Sequence, residues 1–260
     1  MLQAVFPLKP EDRACLAPLF PKPNGLVRAC LSGQMGQAFG DHPLRPGAAL
    51  LCVGDFACFG GDPKRHAAGR LAGRLARDPG KTWIVPALAG WEEHMAFWRP
   101  KRMERSVRYA VSLPETGFDL KRLKALTQAL PTGVLLLPVD AALYGKALAA
   151  PWSHDFCSQF DSAGDYEKRG LGVAAVRAGE IVAGASSYVV YSGGIEIQTD
   201  TREDMRRRGL AAACCAMLII ACLEKGLIPS WDAANPASLA LAQKLGYTPG
   251  EAYPILEVTF

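Results

Sequence analysis

IEIQTDTREDMRRRGLAAACCAMLII, residues Ile195 to Ile220, joins a strand to a helix through a loop crowded with arginine. In IEIQT, alternation places Ile195, Ile197 and Thr199 on one face of a strand and Glu196 and Gln198 on the other. The run from Leu210 to Leu223 carries no charge and is closed by Glu224, Lys225 and Gly226, a helix stop with glycine just past the end. It falls short of the ~20 apolar residues of a membrane span, so we expect a buried helix and no membrane partner. Arg206, Arg207, Arg208 and Gly209 stand at its mouth. A helix N-terminus offers unpaired N–H groups and the positive end of the helix dipole, and glycine lets the backbone approach a ligand closely. Arginine adds bidentate charge suited to a pyrophosphate. Three arginines alone fit a solvated surface cluster better than a ligand site, so their surroundings decide.

Upstream, LGVAAVR (171–177) and IVAGASSYVV (181–190) flank a tight turn at Ala178-Gly179-Glu180, which predicts a hairpin. A second turn at 191–194 adds IEIQT and makes a three-strand antiparallel meander. Downstream, LIPSWDAA (227–234) reads as one strand. Asn235 as N-cap and Pro236 in the first turn then start a helix that ends at Leu245-Gly246, and YPILEVTF (253–260) is a final strand. The N-terminal part offers a similar succession: GAALLCVGDFACFG strand, PKRHAAGRLAGRLA helix, KTWIVPAL strand, GWEEHMAFW helix and RSVRYAVSL strand. This is either a decayed internal duplication, the reading we favour, or ordinary β-α-β alternation. Between the parts lies a connector and an amphipathic helix with Phe118, Leu120, Leu123, Leu126 and Leu130 on one face. The division is expected near Thr116, giving an N-terminal α/β part over 1–116 and a second domain over 117–260. The fold class is α/β, with a mixed, mainly antiparallel sheet flanked by helices.

A 260-residue chain that is 50% hydrophobic and 21% charged can bury a substantial core, which excludes a disordered chain. The net charge of +4 is spread along the sequence and says little about partners. Eight cysteines form no C-x-x-C pair, and no signal segment opens the sequence, which points to a reducing, cytoplasmic setting. PGKT (79–82) is not a P-loop, because Leu75 stands where glycine is required. Gly54, Gly60 and Gly61 lack the dinucleotide-binding spacing. His42, His66, His94 and His154 are too dispersed to suggest a metal. His154 and Cys157 lack the loop that a thiol nucleophile needs, while Cys214, Cys215 and Cys222 read as small core residues. Trp91, Phe97 and Trp98 fit core packing better than an acceptor pocket.

Arg206-Arg207-Arg208-Gly209-Leu210-Ala211 resembles the Q/R-x-x-G-x-G/A pyrophosphate loop of the GNAT N-acetyltransferases. NPASLALAQKLGY (235–247) is similar to that family's second landmark, an asparagine followed by a helix ending in leucine, glycine and an aromatic. The resemblance covers roughly residues 170–253, and SWDAAN further resembles a subgroup that includes zwittermicin-type resistance acetyltransferases. It implies a C-terminal GNAT fold; on the internal-duplication reading the N-terminal part would be a degenerate GNAT-like repeat. It also implies acetyl-CoA as cosubstrate and direct acetyl transfer to the primary amine of a small-molecule acceptor. Backbone groups of Ile197, Gln198 and Thr199 would then hold the pantetheine arm and polarise the thioester carbonyl. Amides of Arg206, Arg207, Arg208, Gly209, Leu210 and Ala211 would cradle the pyrophosphate, and Asn235 would bond the pantetheine.

Glu196, a carboxylate among apolar strand neighbours, is the candidate general base, with a core ion pair as the bland alternative. Asp232 could do the same work, bind a cationic acceptor, or merely cap the following helix. The sequence departs from the family where a tyrosine acid is usual: Ala242 and Leu241 occupy that neighbourhood. Tyr188, Tyr191 and Tyr253 are candidate replacements. That gap supports a rival reading, a catalytically idle acyl-CoA-binding regulatory or interaction module. Nucleic-acid binding is not expected, for no aromatic residues interleave with the arginines.

Overall fold

A computed structural model describes residues 5–77, 80–86, 88 and 90–260. Pro79 of PGKT and Ala87 of KTWIVPAL lie outside the described residues. The chain forms two compact units, Met1–Arg108 with Ala252–Phe260, and Tyr109–Glu251. The division therefore falls inside a strand rather than at the connector near Thr116, and the last segment of the chain belongs to the first unit. A continuous strand carries no turn residues to mark such a crossing in the sequence.

The first unit contains β1 (Phe6–Leu8), α1 (Gly25–Leu31), β2 (Gln37–Gly40), β3 (Ala48–Val53), β4 (Phe56–Gly61), α2 (Ala68–Leu75), β5 (Lys81–Ile84), α3 (Trp91–Phe97) and the start of β6 (Arg102–Ser112). A 3-10 helix spans Pro10–Leu19. The sheet order is β1-β2-β3-β4-β5, and β5 then pairs with the last strand of the chain, β13 (Thr248–Thr259), through Leu256↔Ile84 and Val258↔Thr82. All these pairs are antiparallel except β4 with β5. Strand β3 is buried along nearly its whole length, as its unbroken apolar run requires. Leu50, Phe59, Leu71, Ile84, Trp91, Met95, Leu256 and Val258 form the core. Trp91 is buried against Phe59, as its apolar setting suggested. Phe97 is not core: it is exposed, because the helix ends at that residue.

The second unit contains α4 (Leu120–Gln128), β7 (Val134–Pro138), α5 (Ala141–Ala149), α6 (Ala163–Arg169), β8 (Gly172–Arg177), β9 (Glu180–Tyr191), β10 (Gly194–Thr201), α7 (Leu210–Glu224), β11 (Ile228–Ser230), β12 (Asp232–Ala233) and α8 (Pro236–Leu245). Its sheet runs β11-β10-β9-β8-β7. The meander β8-β9-β10 is as expected, with Ala178 and Gly179 both at positive φ in the first turn, the geometry that matches strand twist in a two-residue hairpin. Helix α7 is buried on nearly all sides, and its alanines and cysteines let it lie close to the sheet and to α4. On α4 only Leu123 is fully buried, while Leu120 is exposed, so the apolar face is narrower than its spacing suggests. Among the described residues no helix is long and apolar enough to cross a membrane.

One device occurs in both units. A strand, a helix and a strand close with a parallel pair, β4-α2-β5 in the first and β10-α7-β11 in the second. The repeated succession in the sequence is thus a repeated topology.

Candidate active site

The β10–β11 ladder is short. It pairs Gly194↔Ile228, Ile195↔Pro229 and Glu196↔Ser230, and then stops. LIPSWDAA is therefore not one strand but two, broken at Trp231, after which Asp232↔Ala110 and Ala233↔Tyr109 pair β12 with β6. Trp231 anchors the turn: its indole N–H donates to Ser238 Oγ at 3.1 Å and its ring packs on Tyr247. Beyond this fork, Ile197 to Thr201 of β10 keep ladder partners only on β9. At Thr201 the N–H donates to Asp200 Oδ1 and the carbonyl accepts from Arg206 Nε, so the stretch from Ile197 to Asp200 is the strand edge that can serve as a template for an extended ligand. On the β9 side the register skips Tyr188 between Glu196 and Ile197, a β-bulge at the same level as the fork.

At the far end of β10 the chain passes through a 3-10 turn, Glu203–Met205, into the arginine loop. Arg207 has φ 58° and Gly209 φ 80°, so the backbone curls left-handed twice before α7 begins. Such turns aim successive amides into one concavity that suits an anion. Gly209 at the N-cap of α7 brings no side chain to its first amides, and that turn carries no acidic residue. Arg206 is tied back by Nε to Thr201 O at 3.2 Å, and Arg208 donates to Asp204 O at 3.3 Å, whereas Arg207 stands exposed. The nearest atom to a Cβ built on Gly209 is Ala129 O at 3.8 Å, so the left-handed φ, and not crowding, is what calls for glycine there.

A family model described as GNAT acetyltransferase matches residues 17–256. The chain belongs to the GNAT acetyltransferase family. A solved GCN5-related N-acetyltransferase-like protein from Streptococcus suis is 36% identical over 95% of this chain and 98% of that one, with a TM-score of 0.86. An uncharacterized N-acetyltransferase of Bacillus subtilis, YdfB, is 29% identical over 131 residues, half of this chain and half of that protein. A tandem GNAT protein from the clavulanic acid biosynthesis pathway shares the fold at 15% identity and a TM-score of 0.55, with 98% of both chains covered. The two-part α/β architecture is therefore that of GNAT proteins along the whole chain.

Within this GNAT framework Glu196 is buried at 8% exposure on the last rung of the fork, opposite Ser230. Asp232 lies two residues past Ser230 on β12, partly exposed and paired with Ala110. Asn235 caps α8, with Oδ1 accepting from Ser238 N at 2.9 Å. Ala242, at the usual tyrosine position, is fully buried and offers no proton donor. Tyr188 is the bulge residue and buried, while Tyr253 lies in the segment belonging to the first unit. Three groups at the fork were not anticipated as site residues: Ser230, Gly194 and Tyr247. Tyr247 donates its hydroxyl to Pro229 O at 2.7 Å. Burial holds this phenol well above its ordinary value, and Cys215, Cys222, Glu196 and Tyr191 push it the same way. It is a structural anchor rather than an acid.

The corresponding loop of the first unit is built differently. Lys64-Arg65-His66 precede α2, but no residue from 62 to 67 is left-handed and Ala67 caps in a helical conformation. Arg65 is paired with Asp41, and the ring of Phe20 covers one face of β4 at Gly60, 2.6 Å from where a Cβ would stand. The first unit thus has the same strand–helix–strand topology without the left-handed loop that precedes α7. Among the described residues no group of three or more His, Cys, Asp or Glu side chains is placed to hold a metal ion.

Proposed function

We propose that this chain is an N-acetyltransferase that takes an acetyl group from acetyl-CoA and passes it directly to the primary amine of a small molecule. One observation carries the reading: the open edge of β10 leads from the arginine loop to the fork at Glu196. At about 3.4 Å per residue, Thr201 to Ile197 spans about 14 Å. The pyrophosphate would rest on amides from Arg206 to Ala211, and the pantetheine would follow Thr199, Gln198 and Ile197. Asn235, whose Oδ1 already caps α8, would reach the arm with its amide nitrogen. The thioester end then comes to the fork.

There the incoming amine must lose a proton before it attacks, and Glu196 is the base in reach. Amides beside the bulge would hold the carbonyl oxygen as charge develops on it. The thioester is already activated, so holding it against the amine supplies much of the rate. Asp232 would draw a cationic acceptor toward the fork. All eight cysteines stand outside disulfides, which supports a reducing compartment such as the cytoplasm. A second reading, an idle acyl-CoA-binding module, draws on the buried Ala242 where a donor is usual.

Calorimetric titration with acetyl-CoA, free CoA and 3′,5′-ADP tests the site, with Gly209→Glu and Gly209→Ala as paired variants. Both variants carry the left-handed strain, but only the first places a carboxylate against the phosphates. We expect micromolar or tighter binding, on the order of −8 kcal/mol, abolished by Gly209→Glu and weakened far less by Gly209→Ala. Equal binding by all three proteins would refute the phosphate loop. Binding without thiol release across a panel of primary amines would favour the idle module.

A further inference from the structure

Gly194 marks a contact that no part of the reaction yet uses. The turn tip is Gly193, with φ 85°, whereas Gly194 lies in β10 itself. A Cβ on Gly194 would stand 2.4 Å from Tyr191 Oη, 2.5 Å from Tyr191 Cζ and 2.6 Å from Ile228 O. The missing side chain lets the Tyr191 ring, rooted on β9, cross β10 and hydrogen-bond Ser230 Oγ on β11. Paired residues share a face of a sheet. Tyr191, Gly194 and Ile228 therefore lie on one face, and Glu196 and Ser230, two residues along, lie on the same one. Ser230 is partly exposed, while Tyr191 is buried at 5%.

If the phosphates sit at the arginine loop, the thioester sulfur sits at the fork beside Ser230. We propose that Ser230, backed by Tyr191, is the proton donor to the departing CoA thiolate, which fills the gap left by Ala242. This rests on the acetyl-CoA reading above. As the amine nitrogen attacks, the C–N bond forms, the C–S bond breaks and its electron pair leaves on sulfur. Ser230 gives its hydroxyl proton to sulfur and takes the proton of Tyr191. An acceptor that arrives as ammonium has already lost one proton to solvent by way of Glu196; the Tyr191 phenolate regains the second, which Glu196 takes from the nitrogen as the C–N bond forms, so every protein group ends as it began and the products are the amide, the CoA thiol and one released proton. A serine alone is too weak an acid for this, so the Tyr191 hydroxyl bonded to it makes good the proton that Ser230 gives up. The ionisable groups that act on neighbouring Tyr247 are Cys215 and Cys222 on α7, Glu196 on β10 and Tyr191 on β9, and Asp232 lies two residues past Ser230 on β12.

The test needs no acceptor. Wild type, Ser230→Ala, Ser230→Thr and Tyr191→Phe are titrated with acetyl-CoA and with free CoA at about pH 6.5 and about pH 9.5, where an ordinary thiol is mostly protonated and mostly ionised respectively. A hydroxyl aimed at sulfur stabilises the thiolate, so Ser230→Ala should weaken free CoA about tenfold at the higher pH and less than about twofold at the lower. Tyr191→Phe should do so by several-fold, Ser230→Thr should restore the wild-type value, and acetyl-CoA should change less than about twofold throughout. Equal free-CoA affinity of Ser230→Ala and wild type at high pH would overturn the assignment. So would loss of both ligands at both pH values in Ser230→Ala, the mark of a purely structural residue. Failure of wild type to bind acetyl-CoA would instead overturn the acetyl-CoA reading itself.

Discussion

Replacing Gly194 by alanine inserts one methyl group where three neighbours already stand within 2.6 Å. Ordinary carbon contacts lie at about 3.5–4.0 Å, so the Tyr191 ring must move by about 1 Å. It cannot do so freely, because its hydroxyl is held at Ser230 and the third neighbour is a backbone carbonyl in the ladder. Overpacking of this kind costs about 1–3 kcal/mol, and loss of the Tyr191–Ser230 bond adds about 1 kcal/mol, for a total of about 2–4 kcal/mol. In a unit of this size that lowers the unfolding midpoint by roughly 5–15 °C. Thermal unfolding followed by circular dichroism reads this directly, with Gly193→Ala as the comparison. That position is left-handed but open, with nothing within 4 Å, so only the backbone cost of about 1 kcal/mol applies. In a double-mutant cycle, Tyr191→Ala removes two of the three close contacts, so the pair should couple favourably by about 1 kcal/mol or more. The reasoning fails if Gly194→Ala is no less stable than Gly193→Ala, or if the cycle shows no coupling.

Other expectations follow from the same geometry. Glu196→Gln should leave acetyl-CoA affinity within about twofold and lower amine turnover about 10²-fold or more in steady-state assays; unchanged turnover removes Glu196 as base. Arg207→Ala should weaken acetyl-CoA several-fold and flatten its salt dependence, with little change in melting temperature, since the side chain is exposed. Burial pushes the Asp41 carboxyl up, but amides of Gly47 and Ala48 and the Arg65 guanidinium outweigh it and carry it below the ordinary value. Its stabilisation is therefore present above the unfolded value near 4 and fades as pH falls through the lower folded one. Urea unfolding across that acid range should accordingly be flatter for Asp41→Asn than for wild type.

Legibility in the sequence tracked locality. Helix α7 and its loop were plain because charged residues bracket an uncharged run and Gly209 stands at the junction, all within one short stretch. The hairpin at Ala178-Gly179 was equally local. The break at Trp231 was not, because LIPSWDAA has uniform strand character and only pairing shows that its halves serve different neighbours. The place of β13 was hidden for the same reason: its partner β5 is remote in sequence, and nothing in YPILEVTF names it. Strand β7 and helices α5 and α6 were not anticipated. At the site, the carboxylate of Glu196 and the phosphate loop were readable from residue type and position. The Tyr191–Ser230 contact was not, since Gly194 beside Gly193 looks like turn material until the strand is seen to begin there.

The last strand of the chain sets a timetable. A multidomain protein ordinarily folds from its N-terminus as it leaves the ribosome. Here β5, already paired with β4, gains its second partner only when residues 256–259 have been made, and Leu256 and Val258 belong to the first unit's core. The second unit, continuous from Tyr109 to Glu251, is complete before that. The first unit's sheet therefore keeps one edge of β5 bare until residues made after the whole of the second unit reach it.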